Sequence, residues 1–335
     1  MRLIFILALL AFTIFLWGFQ KYKNYHKTKF SEQDRGCIRK EWRRSPNIPE
    51  TTDYGLNYSI SFADTQHNFQ WVKIPKLQYS GGPDILIIVL SRPDSFARRN
   101  LIRNSWMNNF SNSKNQTMEI VFVLGTGGNS NFNKKFRELL EKEAELYGDL
   151  VMSNFKDSYE NLSLKTISSL LFAISKSSNS KIIGKIDEDV LFFPEEFLKF
   201  LNSGIIQKTG KFLYGEVLEA GIGGNSRVLT PSQLSYRCEK YPEYLSGPIY
   251  FMTRDAAEEL LKFTKHRNFL MSEDILITGI LASDIGATRI QLNGIQMYQE
   301  FPAEESRKIL AWHAVLLSDK LYMDSYNRIR RRNFE

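Results

Sequence analysis

The sequence predicts an α/β domain with a mostly parallel central sheet, and three observations lead there. Short apolar runs at 84–91, 119–125 and 181–186 have the length and β-branched content of buried strands. Between them lie segments with helical spacing, such as Phe132, Phe136, Leu139, Leu140, Ala144 and Tyr147. The third observation is Asp187-Glu188-Asp189, which ends the last of these runs where open α/β sheets hold their ligands.

Charge excludes one function class. The 335 residues carry a formal charge of +7, but residues 21–44 hold nine basic and three acidic side chains and Arg2 supplies one more positive charge. Residues 45–335 are therefore formally neutral, and no basic surface for nucleic acid is expected. The cluster Arg328, Arg330, Arg331 and Arg332 is expected to be a solvated C-terminal tail.

From the N-terminus, residues 1–2 precede an uncharged stretch, 3–19, that would span roughly 25 Å as a helix. It lacks a small-x-small cleavage pattern and is expected to be an uncleaved transmembrane signal anchor. The basic flank follows the span, which favours a cytosolic bulk. Four Asn-x-Ser/Thr sequons, at Asn57, Asn109, Asn115 and Asn161, favour a lumenal one. Residues 20–80 are polar and without periodicity, as in a stem, with a short ordered piece expected near Phe69-Gln70-Trp71-Val72. Gly81-Gly82-Pro83 then opens the domain, 81–335. Its order is strand 84–91, a helix entered at Ser91-Arg92-Pro93-Asp94, strand 119–125, helix 132–147, strand 149–152, helix 161–176 and the strand into Asp187. The two cysteines, Cys37 and Cys238, have no zinc or redox spacing; they could pair in an oxidising lumen or stay free.

Four segments carry candidate chemistry. On extended chain Asp187 and Asp189, two residues apart, point to one face and could share a divalent cation such as Mn or Mg. Solvated turn acids are the bland alternative. Arg99 and Arg103, four apart on one helical face, could meet phosphate or carboxylate, or form a solvated basic face. Asp157, Ser158, Tyr159 and Lys165 gather turn formers, an aromatic ring and a cation at one helix entry. Gly247 permits close backbone approach to a ligand. Glu273-Asp274 sets a carboxylate pair before an apolar run, where it could equally complement a helix dipole.

Taken in order, these segments resemble the β-1,3-glycosyltransferases of family 31, the group of β-1,3-galactosyltransferases and β-1,3-N-acetylglucosaminyltransferases. The matching pieces are Arg99-x-x-Ile102-Arg103-x-Ser105-Trp106, Phe122-Val123-Leu124-Gly125 and Asp157-Ser158-Tyr159-x-Asn161-Leu162-x-Leu164-Lys165-Thr166. Lys185-Ile186-Asp187-Glu188-Asp189-Val190 follows, then Tyr241-Pro242-x-Tyr244-x-Ser246-Gly247-x-x-Tyr250 and Glu273-Asp274-Ile275-x-x-x-Gly279. The resemblance spans roughly residues 84–318.

It implies a GT-A-like domain in a single-pass type II Golgi membrane protein, with residues 1–2 cytosolic and 81–335 lumenal. It also implies a UDP-sugar donor, Mn2+ or Mg2+ as cofactor, and a glycan on a glycoprotein or glycolipid as acceptor. The expected reaction is inverting transfer of a hexose or N-acetylhexosamine to a hydroxyl, forming a β-1,3 linkage. Carried over by position, Asp274 is the general base, Asp187 meets the donor ribose or the metal, and Asp189 and His313 complete the metal site. Arg99, Arg103, Asp157 and Lys165 are expected on the donor side. The chain departs from the family at Glu188, often Asp, and at Leu245, often Cys. Two other readings compete: a phosphatase with Asp187 as nucleophile, which accounts for none of the other motifs, and a catalytically inactive Golgi chaperone or glycan binder, which would lose metal ligands that this chain keeps.

Overall fold

A computed structural model describes residues 56–108, 117–127, 134–219, 236, 238, 241–297, 301–302, 308–313 and 317–334. The anchor expected at 3–19, most of the stem, Cys37 and the sequons at Asn109 and Asn115 lie outside them. Cys238 is held in a disulfide. No helix among the described residues is long and apolar enough to cross a membrane.

The centre is strand β3, Ile85–Leu90, buried along its whole length. Its side chains alternate between two cores: Ile85, Ile87 and Val89 enter one, Leu86, Ile88 and Leu90 the other. Covering both faces of a strand requires helices on both sides. On the first face lie α1, Phe96–Ile102, with its π-helical continuation Arg103–Met107, and α2, Lys134–Tyr147. On the second lies α3, Leu162–Lys176.

Strands β4, Met118–Gly127, and β5, Leu150–Lys156, extend the sheet in parallel on one side of β3; β6, Ile182–Asp187, lies parallel on the other. Beyond β6 the sheet reverses: β9, Tyr244–Thr253, and β8, Phe212–Leu218, are antiparallel additions, and β10, Thr288–Gln291, runs parallel to β8. The sheet is thus mixed, a correction to the mostly parallel one expected. The parallel part is the segment with crossover helices; β9 returns to β6 after a long excursion and is free to pair antiparallel.

Two further strands lie in the range assigned to the stem. β1, Asn57–Ser61, and β2, Gln66–Lys73, form a hairpin whose second strand pairs with β5. Tyr58, Ile60 and Trp71 are buried there, and Tyr58 stacks on Trp71 at 4.5 Å. The sheet therefore begins well before Gly81.

A small second sheet joins β7, Val190–Phe192, to β12, Ala311–His313, and β11, Ile295–Gln296. Helix α4, Pro194–Asn202, follows β7, and α5, Arg254–Phe263, follows β9. The C-terminal arginines are not a free tail. They belong to α6, Asp319–Phe334, which buries Tyr322, Tyr326 and Ile329. Tyr322 accepts a hydrogen bond from Trp106 Nε1 (2.9 Å) and donates to the Val190 carbonyl (3.2 Å), fixing α6 against the start of β7.

Candidate active site

The strand order turns at β3: β4 and β5 lie to one side, β6 to the other. A crevice opens at such a switch point, outside the carboxyl ends of the strands. Here it is a cleft of about 840 Å3 floored by Leu90, Asp157, Lys165 and Asp187-Glu188-Asp189, with Arg92, Ser95 and Arg98 along one wall.

The acidic tripeptide is not continuous extended chain. Asp187 ends β6, while Glu188 and Asp189 form the turn into β7. The period-2 argument therefore applies to Lys185 and Asp187, both in β6, and not to Asp187 and Asp189. Lys185 Nζ lies 2.7 Å from Asp187 Oδ1 and donates to the Gly247 carbonyl at 2.7 Å. Burial pushes the Asp187 carboxyl up, against the pull of Lys185.

Glu188 folds back onto the loop after β3. It accepts from Ser91 Oγ (2.6 Å), Ser95 Oγ (2.7 Å) and the Arg92 amide (3.2 Å), so it holds the cleft wall. Asp189 faces the small sheet. Its Oδ2 is 3.2 Å from His313 Nε2, because β12 pairs antiparallel with β7 and sets His313 opposite Val190. Burial would raise the Asp189 carboxyl, but the His313 contact outweighs it and holds the group below the usual carboxylate range. Its other oxygen, Oδ1, is buried with no partner.

An orphaned carboxylate oxygen beside an imidazole nitrogen is half of a hard-cation site. Among the described residues no three His, Cys, Asp or Glu side chains form a complete one. A cation held by Asp189 and His313 would need further ligands from what binds in the cleft. The cleft lining points the same way, with six carboxylates (Asp94, Asp157, Asp187, Glu188, Asp189, Asp319) and only three cations (Arg92, Arg98, Lys165). A diphosphate entering that field needs a counter-charge.

Asp157 and Lys165 come together at the cleft: Lys165 Nζ donates to Asp157 Oδ2 (2.8 Å) and to the Ser91 carbonyl (2.7 Å), and the Gly125 amide also donates to Asp157 Oδ2 (2.8 Å). Arg99 and Arg103 do not reach the cleft. Arg99 pairs with Glu143 (2.7 Å), and Arg103 with Glu143 (2.8 Å) and Asp149 (2.7 Å), all of them buried. Burial would raise Glu143, yet the two guanidiniums hold it below the usual range. Once that network closes, neither arginine has a fork to offer a phosphate, so their donor-side placement is replaced by a structural one.

Asp274 sits on the other side of Lys185. It caps the π-helical segment Ile275–Leu281, its Oδ1 accepting from the Ile275 amide at 2.8 Å. Gly247 lies beside it: a Cβ there would be 3.4 Å from Asp274 Oδ2, an ordinary contact. Burial pushes Asp274 up from the ordinary aspartate value.

The sequence offered the neighbouring Glu273 only as half of a carboxylate pair with Asp274. Glu273 is 3% exposed, accepts a short hydrogen bond from the Tyr250 hydroxyl, and lies 3.6 Å from Lys185 Nζ. Burial pushes its pKa up to about 7 against the pull of Lys185, with Asp274 and Asp187 adding to the rise. Between an unfolded value near 4.5 and that folded value the native state holds a proton that the unfolded chain releases, so stability falls as pH rises through this window, by up to about 3 kcal/mol. Denaturant midpoints measured from pH 5 to 8 are expected to show the decline, and Glu273→Gln to flatten it; an unchanged slope in the variant would assign the proton elsewhere. The signal for Lys185 and Glu273 was present in the sequence as charges bordering apolar runs.

The chain is similar in sequence to known proteins. The galactosyltransferase family model matches residues 97–293. The beta-1,3-galactosyltransferase bre-2 of Caenorhabditis elegans is 39% identical over 92% of this chain and 86% of its own. Human beta-1,3-galactosyltransferase 1 is 25% identical over 74% and 76%. The mouse lactosylceramide 1,3-N-acetyl-beta-D-glucosaminyltransferase is 26% identical over 60% and 54%. Among solved structures, the apo WbbM bifunctional glycosyltransferase aligns with a TM-score of 0.44 at 10% identity, over 78% of this chain and 53% of its own. The matched segment contains Asp157, Lys165, Asp187, Asp189 and Asp274, though not the wall residues Arg92 and Ser95 or His313, and the chain belongs to the galactosyltransferase family.

Proposed function

We propose that this glycosyltransferase is GT-A-like and transfers galactose from UDP-galactose to a glycan hydroxyl, inverting the anomeric centre to form a β-1,3 linkage. The observation that carries the reading is the division of the site by Lys185. The acid-lined cleft and the Asp189–His313 pair lie on one side, and Asp274, packed beside Gly247, lies on the other. An inverting displacement needs that division, with a base facing the acceptor and positive charge facing the leaving group.

Asp189 and His313 would hold the divalent cation, with Asp187 near the donor ribose or the same cation. When bound, a Mn2+ or Mg2+ ion supplies charge stabilisation for the departing diphosphate. Asp274 would take the proton of the acceptor hydroxyl. Lys165 and Asp157 brace the loop after β3, and with it the wall that the donor meets. Galactose as the sugar rests on the names of the relatives; N-acetylglucosamine is the competing donor on the same ground.

A donor panel separates them. Detergent-solubilised full chain is expected to release UDP from UDP-galactose in the presence of Mn2+, faster with p-nitrophenyl glycosides of N-acetylhexosamines as acceptors. Faster turnover of UDP-N-acetylglucosamine would transfer the assignment to that sugar. Glycan binding without turnover of any donor would refute the catalytic reading.

The reading extends to a type II Golgi membrane protein with residues 81–335 lumenal. Asn57 is exposed on the edge strand β1 and open to N-glycosylation, whereas Asn161 Nδ2 donates to the Lys156 carbonyl beside the cleft. A glycosidase-sensitive mass on the Asn57 peptide is expected; digestion of the domain by protease added to intact microsomes would place it in the cytosol instead.

A further inference from the structure

We propose that Lys185 is a positioning residue that sets the donor half of the site against the acceptor half. The inference rests on the transferase reading above and adds a role for a side chain that touches neither substrate. Three segments meet at its ammonium. Asp187 Oδ1, at the cleft end of β6, is 2.7 Å away; the Gly247 carbonyl, in β9, accepts at 2.7 Å; and Glu273 Oε2, next to Asp274, lies at 3.6 Å. A lysine ammonium has three donors on a compact centre, so one charge can serve all three directions.

Each partner is tied to a reacting group. Asp187 floors the donor cleft. Gly247 packs against Asp274, and Glu273 precedes it in the chain. The cluster is closed on its far side by the Tyr250 hydroxyl, which donates to Glu273, and Tyr250 is itself paired with Lys185 across β6 and β9. Lys185 and Glu273 are both 3% exposed. Burying such charges is a poor route to stability, since apolar replacements often do as well or better. What a point charge achieves here is a fixed distance between an acid that faces the donor and a carboxylate that faces the acceptor. Reaction rates depend on that distance steeply: a shift of about 1 Å costs on the order of 10²-fold.

The test separates positioning from stability. Lys185→Met alone leaves Asp187 and Glu273 without their cation and is expected to destabilise the full chain. In the double variant Lys185→Met/Glu273→Gln the buried charges are reduced together, and the thermal midpoint is expected to recover toward wild type. If Lys185 positions the two halves, kcat with UDP-galactose and a p-nitrophenyl N-acetylhexosaminide stays about 10²-fold down in that double variant, with the donor KM changed by less than about threefold. Hydrogen exchange is expected to quicken in peptides covering 244–250 and 272–276 and to stay as in wild type elsewhere. A double variant with recovered midpoint and wild-type kcat, or with unchanged exchange in those two peptides, overturns the proposal. The exchange arm decides the matter even where the wild type turns over no donor, an outcome that would refute the transferase reading alone.

Discussion

Replacing Asp274 by asparagine is expected to lower kcat by about 10²–10⁴-fold while UDP and Mn2+ bind as in wild type. The substitution is mild for the fold. Asn keeps an oxygen that can accept from the Ile275 amide, so the cap of the π-helical segment survives. Its volume is nearly that of Asp, so the contact with Gly247 is kept as well. What disappears is the capacity to take a proton from the acceptor hydroxyl. Burial raises the Asp274 pKa, so the acid limb of the kcat profile is expected above the ordinary aspartate range, where the carboxylate ionises. Rate against pH and calorimetric titration with UDP and Mn2+ make the comparison. Weakened UDP or Mn2+ binding in Asp274→Asn would remove Asp274 from the role of base and return it to the donor side.

The positions of the chemistry were more legible in the sequence than its wiring. Periodicity located β3, β4, β5 and β6 and the helices between them, because each buries a face whose pattern is local. It did not reveal β1, and it located β2 only as a short ordered piece near Phe69–Val72, since their strand residues alternate with exposed Asn and Gln and their burial depends on pairing with β5. It misjudged α6 because four arginines crowd its last turns; Tyr322, Tyr326 and Ile329 do repeat at helical spacing, and Trp106 and Phe193 supply the surface they bury against. Arg99 and Arg103 had the right face and the wrong partner. Glu143 and Asp149 lie some 40 residues further along the chain, and no local rule foretells such an encounter. Asp187 and Asp189 were assigned one face on the assumption of extended chain, which the turn at Glu188-Asp189 breaks. Lys185 was the overlooked consequence of the same period-2 rule.

Asp189→Ala is expected to reduce Mn2+-dependent turnover by about 10³-fold or more, for a reason opposite to that at Asp274. The six carboxylates around the cleft leave a diphosphate no favourable field without a cation. Asp189 offers the cation a buried oxygen that nothing in the protein satisfies, and His313 stands beside the other. Its loss therefore takes away binding of cation and donor together, and the KM for UDP-galactose is expected to rise along with the fall in kcat. Stability supplies the independent reading. In wild type, Mn2+ and UDP at 100 times their dissociation constant stabilise the fold by about 2.7 kcal/mol. In Asp189→Ala that shift in thermal midpoint is expected to vanish, while the midpoint without ligand falls only by what the Oδ2 contact with His313 contributes, since Oδ1 makes no hydrogen bond to lose. A ligand-induced shift of wild-type size in Asp189→Ala would place the cation on other residues. Asp274→Asn and Asp189→Ala, measured side by side, then resolve the site into two halves: one variant binds and does not react, the other fails to bind, and a site that lacked the division at Lys185 would show the same defect in both.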